Sequence, residues 1–453
     1  MSDTAAAIGY IKSAQQSLDL ALEALEGSTP TPPPPIYASA IQDRDVREKP
    51  ALPALGPAGS SLTDPCFGTK ILRVTDAALA DGSSWRVASN AHVASWNADA
   101  SRFYLIGQAG KQIFALEGGA VRPFAKVSSQ CEPTFSRSDP ARLYAVGGSV
   151  TRTIQAITLD AAGVAGTADV LDLDTLGLPD LVEPRTYVGG MVAADSAIAI
   201  FFGGAGQDAH HYAGVLLEGA TDFAYMIDTL AEPGLGFKLH SIAIDHSGRF
   251  VVLYPVQAKP FHMVIWDLER GTFTPVTEAP WGHDTQGYGI EINHDTAPNG
   301  QEWDAAQWVI RPLDQLDTCA DLITPVLRPK EVYLDDHASW HNARPDSDGP
   351  RRPVITATYR YNNEACPWRA WDDEVIAIAT AGPSIVYRFC HHRSDARDEG
   401  NDAGTYFWYQ PIPSVSPDGR FVLFTSNWEK TLGADPGDAG RSRQDVFLVE
   451  LPA

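Results

Sequence analysis

Three histidines, His92, His240 and His337, stand at comparable places in this chain, each shortly before a polar turn. Three converging imidazoles could hold zinc or another transition metal, and a single one could act as a general base. Each histidine could equally bond to nearby backbone groups or line a water-filled channel, since no further metal-ligating residues are spaced around it in the sequence. The sequence therefore leaves both a metal site and a structural role open for these side chains.

The segment from Asp335 to Arg397 combines histidines, aromatic rings and arginines, and it contains no lysine. Guanidinium groups bind carboxylates and sulfates bidentately, and aromatic faces stack on sugar rings, so this mixture suits an acidic glycan. The same arginines could instead pair with nearby aspartates in ordinary surface networks. Our candidate ligand-binding residues are His240, Gln410, Arg369, Arg388, Trp340 and Trp368.

A repeated pattern of turn and strand indicates the elements that position these groups. The clearest copies are Val415–Phe424 and Ile244–Leu253, in which a Ser/Asp/Gly turn is followed by Arg, Phe and an apolar run. Asp, Ser and Gly close hairpins, and branched or aromatic residues suit a half-buried strand. Each copy therefore predicts a hairpin between two neighbouring strands.

Counting these turns gives seven units with a mean spacing of roughly 53 residues, somewhat above the length of a four-stranded propeller blade. The turns are placed at Asn97, Ser136, Asp195, Asp245, Asn293, Asn342 and Ser416. A closed ring of such sheets protects their edges, so we predict an all-β, seven-bladed β-propeller, with six or eight blades still open. Thr69–Thr75 and Gln444–Leu451 are expected in one closing blade. A β-sandwich with an α/β segment is the alternative.

The first 62 residues differ from the rest of the chain. Apolar residues from Ile8 to Leu25 recur at spacings of three and four, which predicts an amphipathic helix for oligomerisation or docking within residues 1–28. A Pro-rich linker and an extended connector of low order fill residues 29–62, and the propeller occupies residues 63–453. The helix could instead fold back on the side of the propeller. The layout resembles bacteriophage tail-fibre and receptor-binding proteins, which implies attachment to other particle subunits through residues 1–28.

Composition limits the partners and the compartment. The formal net charge of −23 argues against binding duplex DNA or an anionic membrane. The five cysteines form no CxxC pair, so we expect buried thiols more than a disulfide framework or a zinc site. We find neither a signal peptide nor a window apolar enough to span a bilayer. Cytoplasmic synthesis is therefore expected, and assembly into a virion is compatible with it.

One motif resembles a known family. The turn Ser416–Gly419, followed by Phe424–Trp428, is similar to the terminal blades of TolB-like propellers and of oligogalacturonate lyase and related propeller lyases. In the oligogalacturonate lyase family a Gln and two His residues before this turn help to hold a divalent metal. The corresponding stretch here, Gln410–Val415, keeps Gln410 and contains no histidine. The resemblance implies a divalent metal ion in or near the propeller channel, and no cofactor is certain.

These observations favour a displayed propeller that recognises a polysaccharide or a cell-surface receptor, such as a homo-oligomeric phage tail component. The second hypothesis is a propeller-type polysaccharide lyase, in which a His or Tyr base removes the C5 proton of a uronate while arginine neutralises the carboxylate. A protein–protein scaffold is the third. The catalytic candidates are His92, His337, His341, Tyr409 and Arg360, and the candidate metal ligands are His92, His240 and His337.

Overall fold

The computed structural model describes the chain from residue 37 onward, with short gaps. The described ranges are 37–79, 82–89, 93–147, 152–179, 186–204, 209–256, 262–277, 284–295, 307–318, 320–323, 335–344, 352–360, 368–400, 405–438 and 440–452. The predicted N-terminal helix, the Pro-rich linker as far as residue 36, and His92 lie outside the described residues.

Seven antiparallel sheets form the blades of a β-propeller, which confirms the predicted fold. Strands β1 (Ser61–Thr63) and β2 (Lys70–Arg73) come first in the chain and belong to the last blade. From the innermost strand outward, blade one contains β3 (Trp85–Arg86), β4 (Arg102–Gly107), β5 (Gly110–Glu117) and β6 (Ala120–Val127). Blade two contains β7 (Thr134–Phe135), β8 (Arg142–Val146), β9 (Thr153–Leu159) and β10 (Val164–Asp172). Blade three contains β11 (Thr186–Ala193), β12 (Ala197–Gly204), β13 (His211–Leu217) and β14 (Phe223–Asp228).

The remaining blades follow the same order of strands. Blade four contains β15 (Leu239–Ile244), β16 (Phe250–Pro255), β17 (Met263–Asp267) and β18 (Thr272–Val276). Blade five contains β19 (Thr285–Gln286), β20 (Ile290–Asp295), β21 (Gln307–Pro312) and β22 (Ala320–Asp321). Blade six contains β23 (Asp335–Ser339), β24 (Val354–Tyr359), β25 (Glu374–Ile378) and β26 (Val386–His391). Blade seven contains β27 (Pro413–Val415), β28 (Phe421–Ser426) and β29 (Asp445–Glu450), followed by β2 and β1. Short 3-10 helices occupy Ala77–Leu79, Leu173–Leu176 and Phe407–Tyr409.

The predicted turns join the innermost strand of most blades to the next strand. In blade four, Asp245 Oδ1 accepts the N–H groups of Arg249 at 2.9 Å and Phe250 at 2.7 Å, and Gly248 has a φ of 79°. The short polar side chain thus replaces backbone partners within the turn, and glycine supplies the left-handed residue. Blade five is a correction, because Asn293 lies inside β20 and the turn is formed by residues 287–289.

The ring closes by pairing strands from the two ends of the described chain. Strand β2 lies antiparallel to β29, with Ile71 opposite Val449 and Arg73 opposite Phe447. The Arg73 guanidinium also forms an ion pair with the buried carboxylate of Asp445, at 2.5 Å. The two segments predicted to share a closing blade therefore do so. Their pairing leaves no free edge on β29, which is protected on both sides.

Apolar side chains from neighbouring blades form the core between the sheets. Phe135, Val192 and Ile244, from the innermost strands of blades two to four, belong to one buried cluster. Trp96 and Leu448 belong to a second cluster, which joins the first blade to the last. Because both faces of each sheet are covered, the inner strands contain nearly continuous apolar runs. No helix among the described residues is long and apolar enough to cross a membrane.

The segment from Tyr37 to Leu62 lies against blades six and seven, and the compact unit begins at Tyr37. The Tyr37 hydroxyl donates a hydrogen bond of 2.6 Å to the carbonyl of Gly419, and Ile41 forms an antiparallel bridge with Arg388. Farther along, the carbonyl of Pro53 accepts a 3.0 Å hydrogen bond from Trp428 Nε1. The segment expected to be a connector of low order is thus held by fixed contacts on the propeller.

Candidate functional site

A cavity of about 800 Å³ occupies one mouth of the central channel, where the innermost strands begin. All seven blades contribute to its wall, because a propeller directs the starts of these strands toward its axis. The polar and aromatic side chains that line it include Arg86, Ser89, Lys111, Gln130, Glu132, Phe201, His240, Ser241, Asp284, His337, Phe407 and Trp408. Among the candidates from sequence, His240 and His337 reach this cavity.

Two cations of blade one face the cavity. The Arg86 guanidinium lies 4.7 Å from the ring centre of Trp408, and its Nε donates to Gln444 Oε1 at 3.0 Å. Lys111 Nζ donates to the carbonyl of Ser129 at 2.7 Å. Arg86 also forms an ion pair with Asp435, at 3.9 Å. Both side chains are half-buried, so each charge is oriented by protein contacts while it faces the cavity. Sequence reasoning missed both residues, because neither lies in the turn repeat or in the arginine-rich segment.

His240 and His337 differ in their surroundings. His240 is exposed at the cavity wall, and desolvation of the ring lowers its pKa below the usual imidazole value, which favours the neutral form. His337 is buried, and its Nε2 lies 2.7 Å from Gln410 Oε1. Since an amide oxygen only accepts, the proton of His337 is on Nε2. His240 is therefore the better placed of the two to exchange a proton with a bound molecule.

Carboxylates on the wall are already bonded to protein donors. Glu132 Oε1 accepts the backbone N–H of Ser89 at 2.8 Å. Asp284 accepts hydrogen bonds from the Tyr254 hydroxyl and, at 2.7 Å, from Gln286 Nε2. Behind Asp284, burial and then the Asp284 charge raise the pKa of Glu291. A raised pKa favours the protonated form of Glu291, which limits the negative charge in this part of the wall.

A divalent metal does not fit the residues next to Gln410. The Gln410 amide oxygen is hydrogen-bonded to His337. The positions after Gln410 that could supply metal ligands include Ile412 and Val415, which are buried and apolar. Among the described residues, the cavity holds no set of three His, Cys, Asp or Glu side chains at metal-binding distance. Within the described part of the chain, the metal implied by the lyase resemblance therefore has no complete set of ligands, and His92, the third histidine proposed for a metal, lies outside the described residues.

His341 lies at the other end of the channel. It lines a separate pocket of about 220 Å³ together with Arg137, Asp195, Tyr288 and Arg344, all near the inner turns. His337 lies in β23 and His341 lies just beyond its end, and four residues of extended chain span about 13 Å, so the two side chains lie near opposite mouths. The structure thus does not bring these two catalytic candidates together.

The aromatic and arginine candidates of blades six and seven lie mostly inside the protein. Trp340 is 1% exposed and donates from Nε1 to the carbonyl of Arg352 at 2.9 Å. The Tyr409 hydroxyl, which is also enclosed, donates to Glu399 Oε2 at 2.8 Å, and burial raises its pKa. Neither side chain has a surface that a ligand could reach in this arrangement.

Two arginine candidates of blade six pair with acidic side chains, and a third donates its backbone N–H to one. Arg388 is fully enclosed and bonds Glu374 and Asp43. Arg360 lies 3.8 Å from an oxygen of Asp372 and 4.4 Å from the ring centre of Trp368. The backbone N–H of Arg369 donates to Asp372 Oδ2 at 2.9 Å. Of the two interpretations of this segment, these contacts favour ion-pair networks within the protein.

Comparisons with known proteins identify the fold. No family model matches the chain, and no curated protein sequence matches it. A solved structure of oligogalacturonate lyase in complex with manganese superposes with a TM-score of 0.57 at 12% identity, over 87% of this chain and 96% of that one. An oligogalacturonate lyase from Vibrio parahaemolyticus gives a TM-score of 0.56, with the same identity and coverage. The chain thus shares the seven-bladed propeller fold of these lyases.

Proposed function

We propose that the cavity at the channel mouth binds an oligosaccharide that carries carboxylates. The observation that supports this most is the pair of half-buried cations, Arg86 and Lys111, which face a cavity in a chain of net charge −23. A strongly acidic protein that directs two cations into one concave site has a means of selecting an anion there. A volume of about 800 Å³ lies within the usual range for small-molecule sites.

The wall offers complementary contacts for a sugar as well as for its charge. Phe407 is 41% exposed and Trp408 is half-buried beside Arg86, so both present ring surface to the cavity. Aromatic faces pack on the apolar faces of sugar rings, and guanidinium and ammonium groups bind the carboxylate. Gln130 and Ser241 add amide and hydroxyl groups to the same wall. This combination is typical of a site for a uronic-acid saccharide.

A second function, β-elimination of that saccharide, is favoured by the neutral, exposed imidazole of His240. In such a reaction His240 takes the proton from C5, the electron pair forms the C4–C5 double bond, and the C4–O bond breaks. The departing oxygen receives a proton from solvent. Arg86 and Lys111 would stabilise the charge that develops on the carboxylate as the proton leaves. No step in this scheme requires a metal.

The experiment is to titrate the purified full chain with oligomers of several uronic acids and with a neutral oligosaccharide of equal length. Calorimetry measures binding, and ultraviolet absorbance measures the unsaturated product of elimination. We expect binding of at least one uronate oligomer and none of the neutral control. Absence of binding to every uronate, with a correctly folded protein, would contradict the proposal.

Replacing His240 by glutamine tests the elimination step separately. Loss of a general base typically lowers a rate by about 10²- to 10⁴-fold, so absorbance should rise far more slowly while affinity changes little. The wild-type rate should fall only at a pH lower than that expected for an ordinary imidazole, because the acting imidazole must be neutral and desolvation lowers the pKa of His240. His262→Gln is the matched control, since burial also lowers the pKa of His262 and that residue does not line the cavity. Equal rates for both variants would remove His240 from the mechanism.

Display on a particle remains part of the proposal for the whole chain. The amphipathic pattern in residues 1–28 supports attachment or oligomerisation, and residues 1–36 lie outside the described residues. Transferring residues 1–28 to a monomeric reporter, followed by measurement of its mass in solution, tests oligomerisation through this segment. A scaffold function would be favoured if the cavity bound no saccharide and the chain still assembled with a protein partner.

A further inference from the structure

One set of metal-binding groups lies away from the channel, where the outer edges of blades six and seven meet. Asp64 and Cys66 belong to the turn between β1 and β2, and His391 is the last residue of β26. One ligand atom from each of the three side chains lies within 4.8 Å of the other two. Ligands bonded to one tetrahedral zinc ion are about 3.3–3.8 Å apart, so modest shifts would bring these atoms into coordination.

His391 provides the observation that points to a ligand. Its side chain is fully enclosed, and its Nε2 lies 2.9 Å from the carbonyl of Arg47. Because that carbonyl only accepts, Nε2 holds the proton and Nδ1 presents a lone pair. The buried Nδ1 has no hydrogen-bond partner. A buried imidazole that is oriented by a backbone carbonyl and has an unused nitrogen is the usual arrangement of a metal-binding histidine.

Three hydrogen bonds hold the Asp64 carboxylate in place, and one of its oxygens can still accept a further bond. Its Oδ1 accepts the backbone N–H groups of Cys66 at 2.8 Å and Phe67 at 3.0 Å. Its Oδ2 accepts a single N–H, from the backbone of His391 at 3.0 Å. Since each carboxylate oxygen can accept two hydrogen bonds, Oδ2 retains one acceptor site. The carboxylate is therefore fixed by the same two segments that supply the other ligands.

Cys66 completes a set of sulfur, nitrogen and oxygen ligands. The residue is only partly buried, which gives an ion access to the site. A metal ion that binds the thiolate of Cys66 releases the thiol proton to solvent. The thiolate and the Asp64 carboxylate together balance the charge of a divalent cation. The nearby cations Arg47 and Arg393 are paired with Asp43 and Glu429, respectively.

We propose that Asp64, Cys66 and His391 bind a zinc ion that links the outer edges of blades six and seven. Zinc accepts thiolate, imidazole and carboxylate ligands in tetrahedral geometry, whereas calcium and magnesium favour oxygen alone. The sequence favoured buried thiols over a zinc site for the cysteines, because His391 is far from Asp64 and Cys66 in sequence and only the fold brings it to them. The proposal does not depend on what the channel cavity binds.

The test uses the full chain, stripped of metal with a chelator and then titrated with Zn²⁺ alone. We expect one zinc ion per chain to remain after gel filtration, and a higher thermal midpoint with zinc than without it. Cys66→Ser should retain no zinc and show no thermal shift, while His262→Gln should behave as the wild type. A Cys66→Ser variant that retains zinc as the wild type does would overturn the proposal.

A second measurement needs no variant, in case Cys66→Ser does not fold. Alkylation of Cys66 is followed by mass spectrometry with and without Zn²⁺. A bound zinc ion should slow the modification by at least about tenfold, because the free thiolate is the reactive species. Zinc that leaves this rate unchanged, or a wild-type chain that retains no zinc, would show that the three residues form no site.

Discussion

Arg388→Met is expected to lower the free energy of unfolding by about 3–5 kcal/mol at pH 8. The side chains of Arg388 and Glu374 are both fully enclosed and form two hydrogen bonds, of 2.9 Å and 2.6 Å. Removal of the guanidinium leaves a carboxylate buried without its counter-ion, which costs far more than the pair itself contributes. Asp43 also loses its contact, so the segment that begins at Tyr37 should loosen from blade six.

The loss of stability caused by Arg388→Met should grow as pH rises. Burial raises the pKa of Glu374 from 4.5 to about 7 even with Arg388 present, and removal of Arg388 raises it further. A group with a raised pKa in the folded state binds its proton more readily there, so the penalty is small near pH 5 and grows as pH rises through 7. Urea unfolding at pH 5 and pH 8 measures the difference.

The double variant Arg388→Met with Glu374→Met is the control. Apolar side chains of similar length remove both charges at once, and most of the lost stability should return. If the double variant is as unstable as the single one, packing around the arginine stem would explain the result. An equal loss at pH 5 and pH 8 would also contradict an uncompensated carboxylate as the cause.

Lys111→Met should weaken binding of a uronate oligosaccharide by about 10- to 100-fold. A hydrogen bond to a charged group contributes roughly 1.5–3 kcal/mol, and each 1.4 kcal/mol corresponds to about a tenfold change in affinity. Titration calorimetry on the wild type and the variant measures the change. The effect should shrink as salt is added, because the lost interaction is between charges and the site is open to solvent.

Lys126→Met is the matched control for this prediction. Lys126 lies on β6 of the same blade, is exposed and does not line the channel cavity. Both substitutions change the net charge of an already acidic chain by the same amount. Equal losses of affinity would therefore reflect the overall repulsion of an anion, whereas a loss confined to Lys111→Met would locate the carboxylate in the cavity.

The fold could be predicted because each blade repeats a local signal. The Asp245 turn is closed by its own side chain and by Gly248, and such contacts depend only on neighbouring residues. Strands of the closing blade could be recognised as the segments left without a hairpin partner. The one misplaced turn, at Asn293, lies in the blade whose inner turn contains glycines instead of the polar signature.

The candidate site could be predicted only in part. His240 and His337 reach the cavity because their distance from a turn places them at the start of an innermost strand. Arg86 and Lys111 follow no repeat, so only the folded ring shows that they face the same space. Arg388 looked available for a ligand, since its partner Asp43 is 345 residues away in sequence. Pairing at such separation depends on the fold rather than on local pattern.

The closing blade also sets the order of events during synthesis. Arg73 and Asp445, which pair across β2 and β29, are separated by 372 residues. At about 5–20 residues per second, a ribosome needs roughly 20–75 s to travel between them. Throughout that time the early strands have emerged without their partner and expose an unpaired edge. The nascent chain therefore needs shielding from its neighbours until its last strand arrives, and crowded expression should favour aggregates joined through β2.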